Sequence, residues 1–490
     1  MREFGVLMAV ASLPSPHGIG DFGKGAYTLV DKIAAIGGRL WQTLPLNPLG
    51  YGNSPYQPYS SFALDELYID LTQLVEANLL KSVPNYRANA SVVAYEDVRA
   101  FKDKHLRKAY KAFKKNKYPT LGEISYDEFL KYDWVRPYGI FIAFKRANNL
   151  VCWNEWDESM RDYGQTMSGV DLTPFEEEIE YVCFTQYVLY CQWMKLKEYA
   201  NKNHVEIVGD IPIYVGIDSL DVWMNRGSFL LDDKGHPTFI AGVPPDYFSA
   251  TGQRWGNPIY DWEYLEEDDF TFWKNRLSYC GKLYDRVRID HFRAFDTYWK
   301  IPSSCPTAVE GDWIEAPGYA MFDSVLKELP DLKIIAEDLG DLRDEVLELR
   351  DHYYFPGMKI VQFTFNPSGK EDFEDRENMI VYTGTHDNQM IKSWYMEFDS
   401  KKKQKTRRFF AKNNYKYDSM VKNFLAFTLD NIADTAILPI QDILELSDKA
   451  RLNSPGTLGS PNWEWRLNDL SKVDESFKFI EELIVKSNRK

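Results

Sequence analysis

Three acidic residues at the ends of short apolar runs are the residues of this chain best suited to chemistry. They are Asp290 in RVRIDHFRAF, Glu337 in KIIAEDLGD and Asp387 in VYTGTHDN, and they are separated by 47 and 50 residues. Each interval has room for one or two strand–helix units, since a minimal unit takes about 30 residues. Acids at the carboxyl ends of parallel strands converge if the strands close into a barrel, and that end of a barrel carries the active site.

The neighbours of these acids predict different roles. Alternation along a strand puts Arg286, Arg288 and Asp290 on one face. If that face points into the barrel, Arg288 favours the ionised form of Asp290 that a nucleophile needs. Glu337 follows the apolar run IIA, where desolvation raises a carboxyl pKa and suits a general acid. Such a pair, about 5–5.5 Å apart, performs retaining glycosidic chemistry, and Asp387 could stabilise the positive charge of the transition state.

Histidines beside two of the acids leave a metal site as the lesser alternative. His291 follows Asp290 and His386 precedes Asp387, but no HxxxH or HxH spacing occurs and the groups lie on separate predicted strands. We therefore expect no metal and no other cofactor.

Two loops rich in aromatic residues could line a site. The run GVPPDYFSATGQRWGNPIYDW (242–262) alternates Pro, Gly, Asn and aromatic residues, which predicts an ordered loop rather than a helix or strand. Such a loop could cover a barrel mouth and exclude water. The run GYGNSPYQPYSSFA (50–63) is interpreted equally well as a binding loop or a plain connection. It offers Tyr51, Ser54, Tyr56 and Tyr59.

Eight apolar runs predict the strands of a (β/α)₈ TIM barrel, an α/β fold, with helical sequence between them. The runs are FGVLMAV (4–10), RLWQTLPL (39–46), VEIVGDIPIYV (205–215), RVRIDHF (286–292), KIIAEDLG (333–340), MKIVQF (358–363), MIVYTGTHD (379–387) and DTAILPIQDIL (434–444). The segment 27–38 predicts a helix that ends at Gly37-Gly38.

The length of 490 residues is about twice that of a minimal barrel, which predicts insertions. We expect the barrel to comprise 1–64 and 201–490. The segment 65–200 is expected to be a mainly helical insertion, and 216–275 a smaller insertion with the cleft-covering loop. After residue 444 the sequence has about 46 residues, of which 473–487 are helical in pattern, and we expect no C-terminal β-sandwich.

Composition excludes some partners. The net charge of −15, from 73 acidic and 58 basic residues, argues against nucleic acid or an anionic membrane and is compatible with a neutral substrate. The basic stretch 108–117 fits a solvated helix face. An aromatic content of 15% suits stacking against sugar rings.

The cysteines and the lack of a membrane-spanning run bear on location. Five scattered cysteines without CxxC, and no apolar run long enough to span a membrane, predict a cytoplasmic protein. The oligomeric state is left open.

Taken together, these motifs resemble the 4-α-glucanotransferases known as amylomaltases or disproportionating enzymes, in the α-amylase clan. The resemblance extends from residue 45 to residue 466. The matching runs are PLNPLGYGNSPYQPYSSFA, GDIPIYV, GVPPDYFSATGQRWGNPIYDW, RIDHFR, AEDLG, THDN and NSPGTLGSPNWEWR. One departure is Ala294, where the family motif has Gly, and it touches none of the acids.

The resemblance implies roles for particular residues. Asp290 matches the nucleophile, Glu337 the acid/base and Asp387 the transition-state stabiliser. The positions that match substrate-binding residues are Tyr56, Asp210, Asp246, Gln253, Trp255, Arg288, His291, His386 and Asn462. The implied reaction transfers α-1,4-glucan segments between maltooligosaccharides, with glucose as an acceptor and a covalent glycosyl-enzyme as intermediate.

Two alternatives remain at this point. A hydrolase of the same clan would carry the same acids with a wetter acceptor side. A non-catalytic glucan-binding protein would keep the fold, although it would have no need of all three acids.

Overall fold

A computed structural model describes residues 2–245, 249–340, 342–369 and 374–489. Its strands are β1 (Glu3–Leu7), β2 (Leu40–Gln42), β3 (Glu206–Pro212), β4 (Phe239–Val243), β5 (Gln253–Pro258), β6 (Arg286–Asp290), β7 (Thr297–Pro302), β8 (Asp312–Glu315), β9 (Ile334–Ala336), β10 (Gly357–Ile360), β11 (Met379–Tyr382) and β12 (Thr435–Pro439). Its first ten helices are α1 (Lys24–Ala35), α2 (Leu71–Glu76), α3 (Tyr95–Lys115), α4 (Tyr126–Phe129), α5 (Val135–Ala147), α6 (Glu158–Thr166), α7 (Glu176–Lys202), α8 (Leu220–Met224), α9 (Trp262–Glu267) and α10 (Thr271–Leu283). The others are α11 (Gly318–Glu328), α12 (Asp344–His352), α13 (Val361–Thr364), α14 (Ile391–Met396), α15 (Ser400–Lys412), α16 (Met420–Asp430), α17 (Ile440–Ile443) and α18 (Asp474–Lys486).

Eight parallel strands form the barrel. Their order is β10-β11-β12-β1-β2-β3-β6-β9. The Ala336 N–H donates to the Pro356 carbonyl at 3.0 Å and joins the end of β9 to the chain entering β10. Each barrel strand overlaps one of the eight predicted runs, although β1 and β10 begin one residue earlier than their runs, so the predicted barrel is confirmed.

Side-chain alternation explains why these strands are apolar on both faces. One face fills the barrel interior. Its members are Leu7, Leu40, Val208, Ile335, Met358, Ile360, Ile380, Tyr382 and Ile437. The other face, for example Val287 and Ile289 of β6, packs in the layer beneath the helices. Arg288 lies between these two on β6 and is buried, which fits the predicted inward face.

The first helix ends as its sequence predicts. Gly37 has φ +80°, a left-handed conformation that glycine adopts at little cost. Its N–H donates to the Ala34 carbonyl, and the Gly38 N–H donates to the Ile33 carbonyl at 2.9 Å. These two bonds are those of a Schellman motif. They stop α1 where the chain turns into β2.

Six helices, α2–α7, lie between β2 and β3. The basic stretch 108–117 falls largely on α3, whose other face buries Leu106, Tyr110 and Phe113. The last helix, α7, reaches the barrel, where the Trp193 indole N–H donates to the Leu283 carbonyl at 2.9 Å. The division of the chain into barrel and insertions at residues 64, 200, 216 and 275 stays a prediction.

A second, antiparallel sheet has the order β5-β4-β7-β8. It shows that the prediction of a loop without strand or helix for 242–262 was wrong, because Gln253–Pro258 is a strand and α9 begins at Trp262. The backbone of β5 is hydrogen-bonded to β4 in an antiparallel pair. The register shifts between Ile240 and Gly242, as at a bulge.

The described residues after β12 form helices and turns without a named strand, and α18 contains most of the predicted helical segment 473–487. No helix in the described parts of the chain is both long and apolar enough to cross a membrane.

Candidate active site

The three acids lie at the carboxyl end of the barrel. Asp290 is the last residue of β6, Glu337 directly follows β9, and Asp387 lies in the loop after β11. A cleft of about 890 Å³, here called the barrel cleft, opens at this end. Its lining includes Tyr56, Tyr214, Trp255, Asp290, Asp387 and Trp463.

Arg288 is buried and joins two carboxylates, one of which, Asp290, lines the barrel cleft. Its Nη1 donates to both carboxylate oxygens of Asp210 at 2.7 and 2.8 Å, and its Nη2 donates to Asp290 Oδ1 at 2.9 Å. Burial opposes the charge of the guanidinium, but Asp210 and Asp290 raise the pKa of Arg288 further above its ordinary value. Asp290 is therefore held through one oxygen, and its Oδ2 has no hydrogen-bond partner within the described residues.

Glu337 is placed to carry a proton. Burial, together with the charge of Asp290, raises the pKa of Glu337 to about 8. Its Oε2 accepts the His291 N–H at 2.7 Å and its Oε1 accepts the Leu339 N–H at 3.1 Å. His291 has φ +55°. This left-handed turn after β6 brings its N–H to Glu337 and fixes the acid relative to Asp290.

Asp387 is held by its neighbours in the ionised form. His386 Nε2 lies 3.3 Å from Asp387 Oδ2, and Asn453 Nδ2 donates to Asp387 Oδ1 at 2.6 Å. Although burial acts in the opposite direction, His386 and the hydrogen bonds from His386 and Asn453 lower the pKa of Asp387 to about 2. Arg451 Nη2 also donates to the Asp387 carbonyl at 2.6 Å. The third acid is thus a fixed anion.

Tyr56 connects the loop 50–63 to the acids. Its hydroxyl donates to Asp210 Oδ2 at 2.8 Å. Its ring stacks on His386, with centroids 5.0 Å apart and planes at 17°. The Trp463 ring lies 5.9 Å from each of these two rings. Together the three rings form an aromatic wall on one side of the barrel cleft.

Strand β5 forms a second wall of the barrel cleft. The Trp255 ring meets His291 edge-on at 4.9 Å, and its Nε1 donates to Gln253 Oε1 at 3.1 Å. Burial lowers the pKa of His291 to about 4, so its imidazole is neutral near pH 7. Gln57 Nε2 lies 3.2 Å from both the Trp255 carbonyl and Asn257 Oδ1 and ties this strand to the loop 50–63. Asp246 lies outside the described residues.

The side chain of Asn462 forms hydrogen bonds within its own loop. Its Nδ2 donates to Thr457 Oγ1 at 2.9 Å, and its Oδ1 accepts the Ser454 N–H at 2.9 Å. It shapes the loop that carries Asn453 and Trp463. Contact between Asn462 and a sugar stays a prediction.

Sequence reasoning missed Asn453, Arg451 and Gln57 as members of the site. All three contact it through single polar side chains on loops distant in sequence. Asn453 lies 66 residues from the acid it contacts. The only available signal was its place at the start of the run NSPGTLGSPNWEWR.

A possible metal site lies outside the barrel cleft. His17, Asp21 and Asp70 are buried, and one ligand atom from each lies within 4.8 Å of the others. Lys102 is also buried there, with its ammonium 3.8 Å from Asp21. Burial lowers the pKa of Lys102, although Asp21 and Asp70 act in the opposite direction.

The comparisons with known proteins agree on one family. A sequence model of the family described as 4-alpha-glucanotransferase matches residues 8–472. The 4-alpha-glucanotransferase of Streptococcus pneumoniae is 42% identical over 485 residues, covering 96% of this chain and 94% of that protein. The 4-alpha-glucanotransferase of Thermus thermophilus is 39% identical, covering 95% of each. The structure of an amylomaltase from Streptococcus agalactiae in complex with acarbose superposes with a TM-score of 0.92 at 34% identity, covering 100% of each chain. The chain therefore belongs to the 4-alpha-glucanotransferase family of enzymes.

Proposed function

We propose that the barrel cleft transfers α-1,4-glucan segments from donor to acceptor by retaining double displacement. The observation that carries this proposal is the contrast between adjacent carboxyl groups. Glu337 has a pKa of about 8, while the neighbouring Asp290 is held by Arg288 with one oxygen unoccupied. A proton donor beside an oriented nucleophile is the arrangement that retaining glycosidic chemistry requires.

The first step breaks the donor's glycosidic bond. Asp290 Oδ2 attacks the anomeric carbon while Glu337 gives its proton to the departing 4-oxygen. The product that leaves carries a free 4-hydroxyl, and the remaining glucan is bonded to Asp290. Asp387, ionised through His386 and Asn453, stabilises the positive charge that develops on the sugar ring.

The second step remakes the bond on another sugar. Glu337, now a carboxylate, takes the proton from the acceptor's 4-hydroxyl, whose oxygen attacks the anomeric carbon and releases Asp290. Two inversions at that carbon give net retention. Glucose or a maltooligosaccharide fits as acceptor because the reaction needs only a free 4-hydroxyl.

Substrate contacts are proposed on both walls of the barrel cleft. Tyr56, Arg288, His291 and His386 surround the position next to Asp290, with Asp210 orienting Arg288. Aromatic rings such as Trp255 combine an apolar face with a polar edge and suit sugar rings. The same rings displace water, which favours transfer over hydrolysis.

The test is to trap the covalent intermediate on Asp290. Glu337→Gln removes the proton donor and the base, so α-glucosyl fluoride, which needs no acid to leave, should glycosylate the enzyme without rapid turnover. Peptide mass spectrometry should then find one glucosyl unit on Asp290.

The matched control is the double variant Asp290→Asn with Glu337→Gln, which should remain unmodified. A glucosyl unit on another residue, or none after the fluoride is consumed, would contradict the assignment of the nucleophile.

A further inference from the structure

The barrel closes between β9 and β10, at a place here called the barrel junction. Within the described residues these two strands are not paired in a ladder. The Ala336 N–H donates to the Pro356 carbonyl at 3.0 Å, and in a regular parallel pair the Met358 N–H would then donate to the Ala336 carbonyl. The Met358 N–H donates instead to Asp338 Oδ1 at 2.7 Å. The Asp338 carboxylate therefore takes the place of a backbone carbonyl at the barrel junction.

Arg350 of α12 holds the other oxygen of the same carboxylate. Its Nη1 donates to Asp338 Oδ2, and the two side chains are each 5% exposed. Removing one partner of such a buried pair leaves an uncompensated charge, which is strongly unfavourable. The carboxylate is thus fixed by two donors, one from a strand and one from a helix.

The first residue of β10 leaves room for this carboxylate. A Cβ on Gly357 would lie closer to Asp338 Oδ2 than two such atoms can approach. Gly357 is not among the residues with positive φ, so its backbone conformation is open to other residues. The glycine is therefore needed for the space that it leaves to Asp338.

The barrel junction lies beside the carboxyl group proposed as acid and base. On the side of β6, the Glu337 N–H donates to the Ile289 carbonyl at 3.1 Å, and the Glu337 carbonyl accepts the Phe292 N–H at 3.1 Å. On the side of β10, the chain is held through the side chain of Asp338. Because side chains alternate along an extended chain, these two consecutive acids point to opposite faces. A displacement of Asp338 would therefore move the backbone that carries Glu337.

We propose that Asp338 is a positioning residue for Glu337, and that its ion pair with Arg350 fixes the backbone on which the acid/base is carried. This proposal rests on the proposed function for the role of Glu337. Electrostatics act in the same direction. Burial and the charge of Asp290 raise the pKa of Glu337, and the charge of Asp338 adds to them.

The test compares a reaction that needs the acid with one that does not. Cleavage of maltotriose needs a proton for the departing oxygen, whereas fluoride leaves α-glucosyl fluoride without one. Asp338→Asn removes the charge that pairs with Arg350 at nearly constant size. The kcat/KM for maltotriose should fall about 10- to 100-fold. The rate of fluoride release in the first turnover, measured by rapid quench, should stay at the wild-type level.

A second variant and a matched control separate the carboxylate from its surroundings. Gly357→Ala displaces the Asp338 carboxylate and keeps its charge, so it should cause the same selective loss with maltotriose. Asp351→Asn is the control, because Asp351 accepts a hydrogen bond from Arg350 Nε at 2.8 Å and is 51% exposed. This control should leave both rates unchanged.

The selectivity of the loss decides the outcome. Both rates are measured on the same preparation, so a smaller folded fraction lowers them equally and cannot imitate a selective loss. Equal losses with the two substrates, or wild-type rates in both Asp338→Asn and Gly357→Ala, would overturn the proposal. A wild-type rate on maltotriose in Glu337→Gln would instead contradict the proposed function, so the two failures are distinguishable.

Discussion

Arg288 is the residue on which the proposed chemistry depends most. It has two carboxylate partners, one structural and one proposed as the nucleophile, and its guanidinium fixes their relative position. Glu337 owes its raised pKa to burial and to Asp290. Both properties are local, so they can be tested by single substitutions.

The pH dependence of the rate should report Glu337. The first step proposed above uses the protonated form of Glu337, so kcat/KM should fall as the pH rises through about 8. Asp387, with a pKa of about 2, stays ionised between pH 5 and pH 10, so it should not change kcat/KM over this range. The measurement is kcat/KM for maltotriose between pH 5 and pH 10, with Asp312→Ala, an exposed acid, as control. A rate that stays constant through pH 9 would contradict the role of Glu337 as acid.

Stability should depend on pH through the same group. The folded-state pKa of Glu337, about 8, lies above its ordinary value of 4.5. The folded state therefore binds this proton more tightly than the unfolded state. Its contribution to stability is complete below about pH 4.5 and is lost as the pH rises toward 8.

Glu337→Gln keeps the shape of the side chain and cannot ionise. The Tm of this variant relative to the wild type should therefore rise between pH 5 and pH 8.5, as measured by thermal denaturation. A difference in Tm that is independent of pH would show that Glu337 is not buried as a neutral acid.

At the level of elements, the loop 451–463 is the support of the third acid. Asn453→Ala removes the hydrogen bond to Asp387 Oδ1. A hydrogen bond to a charged group contributes about 1.5–3 kcal/mol, so kcat should fall roughly 10- to 100-fold. The fold should persist, because the change is confined to a loop. Asn468→Ala, which removes a surface bond to the Asn89 carbonyl, is the control and should keep wild-type kcat. Equal kcat in the two variants would remove Asn453 from the site.

The elements also show what the sequence could and could not predict. All eight barrel strands follow from apolar runs, because strands buried on both faces are continuously apolar. The contact of Arg288 with Asp290 follows from alternation along one strand. The sheet containing β4, β5, β7 and β8 was not predicted, since its strands are short and partly exposed, and Gly interrupts β4 and β5.

Contacts between loops could not be predicted from the sequence either. Gln57 contacts Trp255 across about 200 residues, and neither composition nor periodicity reports such a pairing. The family resemblance supplied the sugar-binding assignments that local patterns could not. Those assignments, Asp246 and Asn462 included, stay predictions.

The whole molecule depends on the packed barrel interior. Ile335→Ala opens a cavity among side chains that are almost completely buried. Such a change typically costs about 2–5 kcal/mol of unfolding free energy. The matched control is Ile432→Ala at a position that is 51% exposed, where the cost should stay within about 0.5 kcal/mol. Chemical denaturation measures both, and equal costs would contradict the described interior.

The central claim concerns the whole enzyme, namely that each glucan bond broken is remade. Incubation of the purified protein with maltotriose, following both chain lengths and total reducing ends, tests it most directly. The account predicts a ladder of longer and shorter glucans at constant reducing ends. A steady rise in reducing ends would mean hydrolysis, and an unchanged maltotriose solution would mean that the protein binds glucans without acting on them; either result would contradict the account.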